Sequence, residues 1–215
     1  MNTRVVLYVP DADEDVSGLA RTSRSRGVHT LSVTRELLER AADTESPQGI
    51  LAISDFPDLD VSVGDTSPLL LIADQIRDPG NLGTLIRSAH GAGAHAMLVT
   101  PGTVDPYSPK VVRAGMGSHF HLPIQVLDWS HPPTVLTSCT TYAAVANGNL
   151  RYDDVDWSSP TALIVGNETN GPSDAALGYA FDTVGIPLAV TLESLNAGVA
   201  GSVILFEAAR QRRKG

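Results

Sequence analysis

The chain has 215 residues, of which 42% are hydrophobic and 18% are charged. This composition is typical of a globular protein long enough for one substantial core, or for one core and a small domain. The longest apolar runs, such as residues 69–73, are as long as a strand and fall far below the roughly 18 residues of a membrane helix, so no membrane partner is expected. Cys139 is the one cysteine, which excludes an intrachain disulfide and favours a cytoplasmic protein.

The net charge of −9 argues mildly against a nucleic-acid partner, but the charge is unevenly distributed. Residues 1–65 carry twelve acidic and six basic residues, whereas residues 66–215 carry twelve acidic and nine basic ones. Four of those nine lie at the end of the chain: Arg210, Arg212, Arg213 and Lys214. Two interpretations of this basic tail stay open, namely a local edge for phosphates or a solvated helix end whose cations the helix dipole favours.

The N-terminal part of the sequence predicts a small α/β unit and a connection. Residues 5–9 and 49–53 have the apolar runs of strands, and residues 34–42 have the period of a helix. Residues 54–68 are polar, with two prolines, a glycine and four aspartates, as in a linker. The predicted divisions are a partial α/β N-terminal domain at residues 1–55, a linker at 56–68 and a main domain at 69–215.

After the linker, strand-like and helix-like segments alternate, which favours a mainly parallel sheet with helices on both faces. The predicted strands are residues 69–73, 96–100, 122–126, 141–145, 162–165 and 183–186. The predicted helices are residues 82–92, 109–116, 134–138, 173–180 and a long last helix from 195 to about 212. Folds of this class build their ligand sites beyond the carboxyl ends of the strands.

The first candidate segment is a turn, residues 78–81, between a predicted strand and a predicted helix. Asn81 is placed to cap this helix, and Arg87 follows six residues later, near the second turn. Taken alone, the segment is a capped helix with a surface arginine. Two later segments give it more weight.

The second segment begins where the predicted strand 162–165 runs into Gly166, Asn167 and Glu168. Gly166 allows backbone to approach a ligand closely, and a carboxylate directly after a buried strand is well placed for a site. The alternative is a plain turn, in which Glu168 is solvated or caps a helix.

The third segment comprises residues 186–187 and 193–196. Ser194 is the predicted N-cap of the last helix, which would put Leu195 and Asn196 in its first turn, where free backbone N–H groups point outward. Small residues then give the helix a face suited to close packing: Ala197, Gly198, Ala200, Gly201 and Ser202.

In order and spacing, the three segments closely resemble the motifs of the SpoU (TrmH-type) RNA ribose methyltransferases of the SPOUT superfamily. The resemblance covers roughly residues 69–213. It implies an α/β knot, a trefoil in which the C-terminal segment threads through a loop of the chain, and a homodimer with the last helix at its interface. The sequence departs from the family pattern at Thr169, where glycine is usual, and at Gly198, where serine is usual.

The N-terminal domain resembles the later part of the ribosomal-protein-like RNA-binding domain found in many SpoU enzymes. Residues 46–52 carry most of that likeness. The opening helices of the family domain have no counterpart in the sequence, as expected for either a truncated chain or a reduced domain.

The resemblance implies metal-free transfer of a methyl group from S-adenosylmethionine to a ribose 2′-hydroxyl of RNA. Ribosomal and transfer RNA both stay open as the substrate, and the N-terminal domain favours ribosomal RNA. The residues implied in cofactor binding are Ala146, Gly166, Ile186, Leu195 and Asn196. The residues implied in catalysis are Arg87, Asn81, Glu168, Ser194 and Asn196.

In this scheme Asn81 and Ser194 position the ribose, Asn196 orders the site, and Glu168 orients Arg87 or Asn196. Arginine is a poor base, since its pKa exceeds about 12. Two roles for Arg87 therefore stay open: it orients the hydroxyl and a neighbouring phosphate, or it accepts the proton once bound RNA desolvates it.

Two other functions fit parts of the sequence. A non-catalytic RNA-binding protein that keeps the knotted fold suits the acidic charge, although the intact motif residues speak against it. A base-methylating relative would need a pocket for the base that the sequence does not reveal. The pair His119 and His121 has a spacing that could suit a metal, but no carboxylate or cysteine accompanies it, so no metal site is predicted.

Overall fold

The computed structural model describes residues 2–42, 44, 46–59, 61, 67–189 and 193–213. The chain divides into two compact units, Met1–Asp58 and Leu59–Gly215. Part of the predicted linker, residues 60 and 62–66, lies outside the described residues.

The N-terminal unit is a small three-stranded sheet with two helices. Its elements are β1 (Thr3–Tyr8), α1 (Glu14–Ser25), β2 (His29–Ser32), α2 (Arg35–Ala42) and β3 (Ile50–Ser54). The strand order is β2-β1-β3, in which β1 pairs with β2 in parallel and with β3 in antiparallel fashion.

Helix α1 and strand β2 were not predicted from the sequence. Helix α1 is mostly polar and buries only Val16 and Ala20. Its N-cap is Asp13, whose carboxylate accepts a hydrogen bond from the Val16 N–H at 2.8 Å. Strand β2 has four residues, none of them buried. Strand β2 is too short and too solvated to show a pattern, and α1 has too few apolar residues to stand out from its polar surroundings.

The second unit contains the remaining elements. Its strands are β4 (Leu69–Asp74), β5 (Ala96–Val99), β6 (Ile124–Val126), β7 (Thr140–Ala144), β8 (Leu150–Arg151), β9 (Thr161–Gly166) and β10 (Asp182–Gly185). Its helices are α3 (Pro79–Ala92), α4 (Pro109–Gly115), α5 (Thr134–Thr137), α6 (Asp174–Tyr179) and α7 (Ala197–Arg212), with a 3-10 turn at Ser118–Phe120.

The strands of the second unit form one seven-stranded sheet in the order β6-β5-β4-β9-β7-β10-β8. Neighbouring strands pair in parallel throughout the described residues. The predicted parallel sheet flanked by helices is thus confirmed, and only the two-residue strand β8 was missed. The trefoil knot stays a prediction.

Apolar side chains cover both faces of this sheet. Strands β4 and β9 are buried along their whole length, because they are central strands packed on both sides. Leu71 and Leu163 belong to the core on the face of α3 and α7, while Ile72 and Ile164 belong to the core on the other face.

The small-residue face of α7 packs inside this chain, against α3 and β9. A Cβ added at Gly201 would lie 2.5 Å from Leu85 Cδ2 and 2.9 Å from Val165 Cγ2, and the hydroxyls of Ser202 and Ser88 lie 2.7 Å apart. The chain itself thus covers Gly201 and Ser202, so their close packing lies within the chain, and the homodimer stays a prediction.

The basic tail fits neither of its two interpretations as a whole. Arg212 donates to the carbonyls of Ser67, Pro68 and Ser159, so it tethers the end of α7 to the chain. Arg210 forms an ion pair with Glu207. Lys214 lies outside the described residues.

No helix among the described residues is long and apolar enough to cross a membrane.

A buried carboxylate, Asp74, organises the carboxyl edge of the sheet. It accepts hydrogen bonds from the Ser173 N–H at 2.7 Å and from the Thr100 hydroxyl at 2.9 Å, and so ties the end of β4 to the segments after β5 and β9. This edge carries the candidate site.

Candidate functional site

The first motif places Asn81 inside helix α3 rather than at its cap. The N-cap is Asp78, whose carboxylate accepts a hydrogen bond from the Asn81 backbone N–H at 2.8 Å, and Pro79 opens the helix. The prediction that Asn81 caps the helix is wrong, because a carboxylate three residues earlier takes that place. The Asn81 side chain is thereby free to bond elsewhere.

Glu168 joins the second motif to the first. Its carboxylate accepts hydrogen bonds from Asn81 Nδ2 at 3.0 Å, from the Asp78 N–H at 3.2 Å and from the Arg77 N–H at 3.4 Å. The expected partner of Glu168 was Arg87 or Asn196, but the structure gives it Asn81. The carboxylate therefore fixes the orientation of the Asn81 amide at the start of α3.

These hydrogen bonds also set the charge of Glu168. Partial burial, the largest single influence, acts to raise the pKa of its carboxyl group. The hydrogen bonds from the Asn81 side chain and from backbone N–H groups together outweigh burial, so the pKa of Glu168 lies below its ordinary value. Glu168 is thus held as a carboxylate acceptor.

The loop after β9 has a fixed shape that requires Gly166. A Cβ at Gly166 would lie 2.0 Å from the backbone nitrogen of Pro172, so no other residue fits without moving the loop. Asn167 accepts from the N–H groups of Thr169 and Asn170 and donates to the Gln75 carbonyl. Thr169 has no positive φ, which is why glycine is not needed there.

The third motif also differs from the prediction at its cap. Asn196, not Ser194, is the N-cap of α7, and its side chain accepts from the Val199 N–H at 3.2 Å. Ser194 and Leu195 therefore precede the helix. Gly198 allows the first and third motifs to approach each other closely. A Cβ there would lie 3.2 Å from Asn196 Oδ1 and 3.3 Å from Asn81 Oδ1.

A cleft of about 390 Å³ opens at the carboxyl edge of β7, β9 and β10. Its size falls within the usual range for small-molecule sites. Six of the predicted site residues line it: Ala146, Gly166, Glu168, Ile186, Ser194 and Leu195. Apolar side chains such as Leu188 and Leu177 supply much of the remaining wall.

Three predicted site residues lie outside the lining of this cleft. Asn81 reaches it through Glu168, and Asn196 stands at the start of α7 beside the lining residues Leu195 and Ala197. Arg87 is exposed on α3, in a separate shallow recess with Met116 and Phe206 among its lining residues.

The sequence signals missed several residues that build the cleft. Gly148 and Gly185 cross so closely that a Cβ at Gly148 would lie 2.2 Å from the Val184 carbonyl carbon. Asp78 and Asn167 were read as turn residues, although their side chains hold the backbone of two motifs. A glycine or an Asx residue marks a turn in sequence, but which distant strand passes beside it depends on the fold.

The two histidines do not converge on a common point. His119 is buried, and its Nε2 lies 2.8 Å from the Pro106 carbonyl oxygen. The exposed ring of His121 stacks on His90 with centroids 4.9 Å apart. Among the described residues there is no group of three or more potential metal ligands.

A family model, the SpoU rRNA Methylase family, matches residues 68–206. The chain belongs to this family. The match includes all three motifs and the whole cleft described above, so the resemblance seen in the sequence is confirmed.

Among relatives of this SpoU family member is the human mitochondrial rRNA methyltransferase 3, which is 34% identical over 247 residues. That match covers 87% of this chain and 59% of the human protein, so the chain spans about three fifths of that relative's length. The 23S rRNA (uridine(2479)-2′-O)-methyltransferase of Streptomyces viridochromogenes is 35% identical over 225 residues, covering 99% of this chain and 77% of that protein.

Solved structures of SpoU proteins share the fold. The methyltransferase AviRb from Streptomyces viridochromogenes, in complex with AdoMet, superposes with a TM-score of 0.84 at 32% identity, covering 99% of this chain and 84% of that one. An AdoMet-bound rRNA methyltransferase from Sinorhizobium meliloti gives a TM-score of 0.81 at 28% identity, covering 97% and 80%.

Proposed function

We propose that the protein transfers a methyl group from S-adenosylmethionine to a ribose 2′-hydroxyl of ribosomal RNA. The observation that carries the proposal is the cleft at the carboxyl edge of the sheet, where two SpoU motifs meet and Glu168 ties in the third. The named functions of the relatives, 2′-O-methylation of 23S rRNA among them, support ribosomal RNA as the substrate.

The cleft suits S-adenosylmethionine. Its walls at Ile186, Leu188 and Leu195 are apolar, and the ends of β7 and β9 offer backbone N–H and C=O groups that can select a base edge. We assign cofactor binding to Ala146, Gly166, Ile186 and Leu195, with Asn196 holding the start of α7. The bound cofactor supplies a methyl group on a sulfonium, which is a good leaving group without a metal.

The protein must then position the ribose and remove a proton from a weakly acidic hydroxyl. We assign the positioning of the ribose to Asn81 and Ser194. Glu168 orients the Asn81 amide, since the carboxylate accepts from Asn81 Nδ2. Because a pre-oriented amide loses no further freedom on binding, this hydrogen bond lowers the entropy cost of the productive complex.

Arg87 acts in this proposal by orienting the hydroxyl and a neighbouring phosphate. Its side chain is exposed in the isolated chain, and no ion pair engages it among the described residues. The planar fork of a guanidinium can hold two oxygen atoms at once. The proton then leaves through phosphate or water.

We further propose that the protein is a cytoplasmic homodimer. Helix α7 exposes the apolar residues Val199, Val203 and Phe206, which lie on one side of the helix, and Met116 is exposed in the recess that Phe206 lines. A second copy that covers this stripe would also bring Arg87, which lines the same recess, to the interface. Ribosomal RNA as substrate favours the cytoplasm.

The N-terminal unit is proposed to contribute to RNA binding. Its three-stranded α/β sheet supplies a surface separate from the cofactor cleft, which lies wholly within the second unit. The assignment rests on the resemblance of residues 46–52 to a ribosomal-protein-like domain.

The test combines binding with product analysis. Calorimetry with S-adenosylhomocysteine should show binding that a chelator does not change. Tritiated methyl transfer to 23S rRNA should give a product that resists alkaline cleavage, because a methylated 2′-oxygen cannot attack the adjacent phosphate. Absence of binding at millimolar ligand, or a product that alkali cleaves normally, would contradict the proposal.

A further inference from the structure

The cations of the second unit divide into two groups by their partners. Arg151 pairs with Asp153 at 2.8 Å, Arg210 pairs with Glu207, and Arg212 is bonded to backbone carbonyls. In contrast, Lys110 and Arg113 on α4 are exposed and have no ion pair among the described residues. The same is true of Arg87 on α3. Arg77 and Arg213 are also exposed and without an ion pair among the described residues, but neither lies on α3 or α4.

Helices α3 and α4 bring these cations onto neighbouring surfaces. A Cβ at Gly83 would lie 2.3 Å from Ala114 Cβ and 3.1 Å from the Val111 carbonyl oxygen, so the two helices touch at this point. Neither helix contains an acidic residue. The exposed side of the pair is therefore locally cationic, although the whole chain carries a net charge of −9.

The placement of Lys110 is locally unfavourable, whereas Arg113 lies in the last turn of α4, where the helix dipole favours a cation. Lys110 lies in the first turn of α4, where the helix dipole favours anions. Arg113 follows three residues later, so two like charges are neighbours on one helix face, an arrangement that costs a few tenths of a kcal/mol. Burial does not compensate this cost, because both residues are exposed. A bound polyanion would turn this cost into a gain, because it would attract both cations.

We propose that Lys110 and Arg113 bind the backbone phosphates of the RNA beside the nucleotide that Arg87 orients. This inference rests on the proposed function and adds the residues that hold the RNA strand at the catalytic unit. Phosphate groups match both side chains: arginine binds a phosphate through two N–H groups, and lysine binds it as a compact charge. These contacts set affinity and register and do not read sequence.

The salt dependence of RNA binding tests this assignment. Each phosphate contact contributes about 0.7 to 0.9 to the slope of log K against log salt. The double variant Lys110→Gln/Arg113→Gln should therefore bind in vitro transcribed 23S rRNA with a slope reduced by roughly 1.5, which corresponds to about 30-fold weaker binding at 0.1 M salt. The KM for RNA should rise, while kcat at saturating RNA is retained.

Arg151→Gln is the matched control. It removes the same kind of charge, but from an arginine already paired with Asp153, so the slope should stay at the wild-type value. Lys110→Arg should also keep the slope, and all variants should bind S-adenosylhomocysteine as the wild type does.

The outcomes separate the two proposals. A wild-type slope in the double variant would overturn the assignment of Lys110 and Arg113, whatever the enzyme methylates. A slope that falls equally in Arg151→Gln would also overturn it, because the effect would then be one of net charge. Failure of the wild type to bind or methylate 23S rRNA would refute the proposed function instead.

Discussion

Gly166 offers the sharpest test of the cleft, because replacing it with alanine forces a defined displacement. The new Cβ would lie 2.0 Å from the Pro172 nitrogen and 2.2 Å from the Gly171 carbonyl carbon, both of them backbone atoms. Ordinary contact between such atoms begins at about 3.5 Å, so the loop must shift by about 1.5 Å. Residues 167–172 line the cleft, and the shift therefore moves its wall.

A displacement of about 1 Å in a positioned site can cost a factor of 10². We expect Gly166→Ala to bind S-adenosylhomocysteine roughly 10- to 100-fold more weakly, equivalent to about 1.4 to 2.7 kcal/mol. Isothermal titration calorimetry measures this loss, and far-ultraviolet circular dichroism verifies that the sheet is intact. The matched control is Gly178→Ala on α6, where an added Cβ meets nothing within 4 Å and affinity should not change.

Gly166→Ala that binds the cofactor within about twofold of the wild type, with an intact sheet, would refute this reasoning. It would mean either that the cleft is not the cofactor site or that the loop after β9 does not shape it. A parallel loss in Gly178→Ala would point to a general effect on folding rather than to the cleft.

Arg87→Ala should keep the affinity for cofactor, because Arg87 lies outside the cleft, and should lower the rate of methyl transfer by about 10²-fold or more. Arg87→Lys should lower this rate as well. Near-wild-type rates of tritium transfer would remove Arg87 from the mechanism. The lowered pKa of Glu168 means that its contribution to stability is complete above the unfolded pKa, near 4.5, and is lost as the pH falls through the lower folded pKa. Thermal melts of wild type and Glu168→Gln should therefore differ at neutral pH, and the difference should shrink as the pH falls below the unfolded pKa near 4.5. A constant difference at all pH values would contradict this. Phe206→Asp should convert the proposed dimer to a 22.6 kDa monomer in light scattering, whereas Leu19→Asp, an exposed site in the N-terminal unit, should not. A monomeric wild type at micromolar concentration would count against the proposed dimer. Removing residues 1–58 should leave cofactor affinity unchanged and weaken RNA binding, and loss of cofactor binding would instead assign this segment to the catalytic core.

The strand and helix pattern of the second unit could be predicted because its central strands are continuously apolar and its helices are separated by turn residues. β4 and β9 illustrate this, since each is a short buried run that ends in polar motif residues. The same alternation places the motifs at one edge of the sheet. Strand and helix order thus carried most of the information about where the cleft lies.

The details of the site could not be predicted from local sequence, because long-range contacts decide them. Asp78 and Asn81 are both good capping residues. Asp78 takes the cap, and the Asn81 side chain instead bonds to Glu168, a contact that local sequence cannot reveal because Glu168 is distant in the chain. Likewise, the small residues of α7 indicate close packing but not the partner, which proved to be α3 of the same chain.

The hydrogen bond between Glu168 and Asn81 has a thermodynamic consequence for the affinities of the two proposed ligands. One side of the Glu168 loop lines the cleft proposed for the cofactor. The Glu168 carboxylate holds the Asn81 amide, to which we assign the ribose. A ligand that restricts the motion of the loop therefore also restricts Asn81. The binding of cofactor and the binding of RNA are then linked by one coupling free energy. By reciprocity, cofactor must raise the affinity for RNA by the same factor by which RNA raises the affinity for cofactor. In the proposed function, this coupling favours complexes in which both reactants are present, without the movement of a domain.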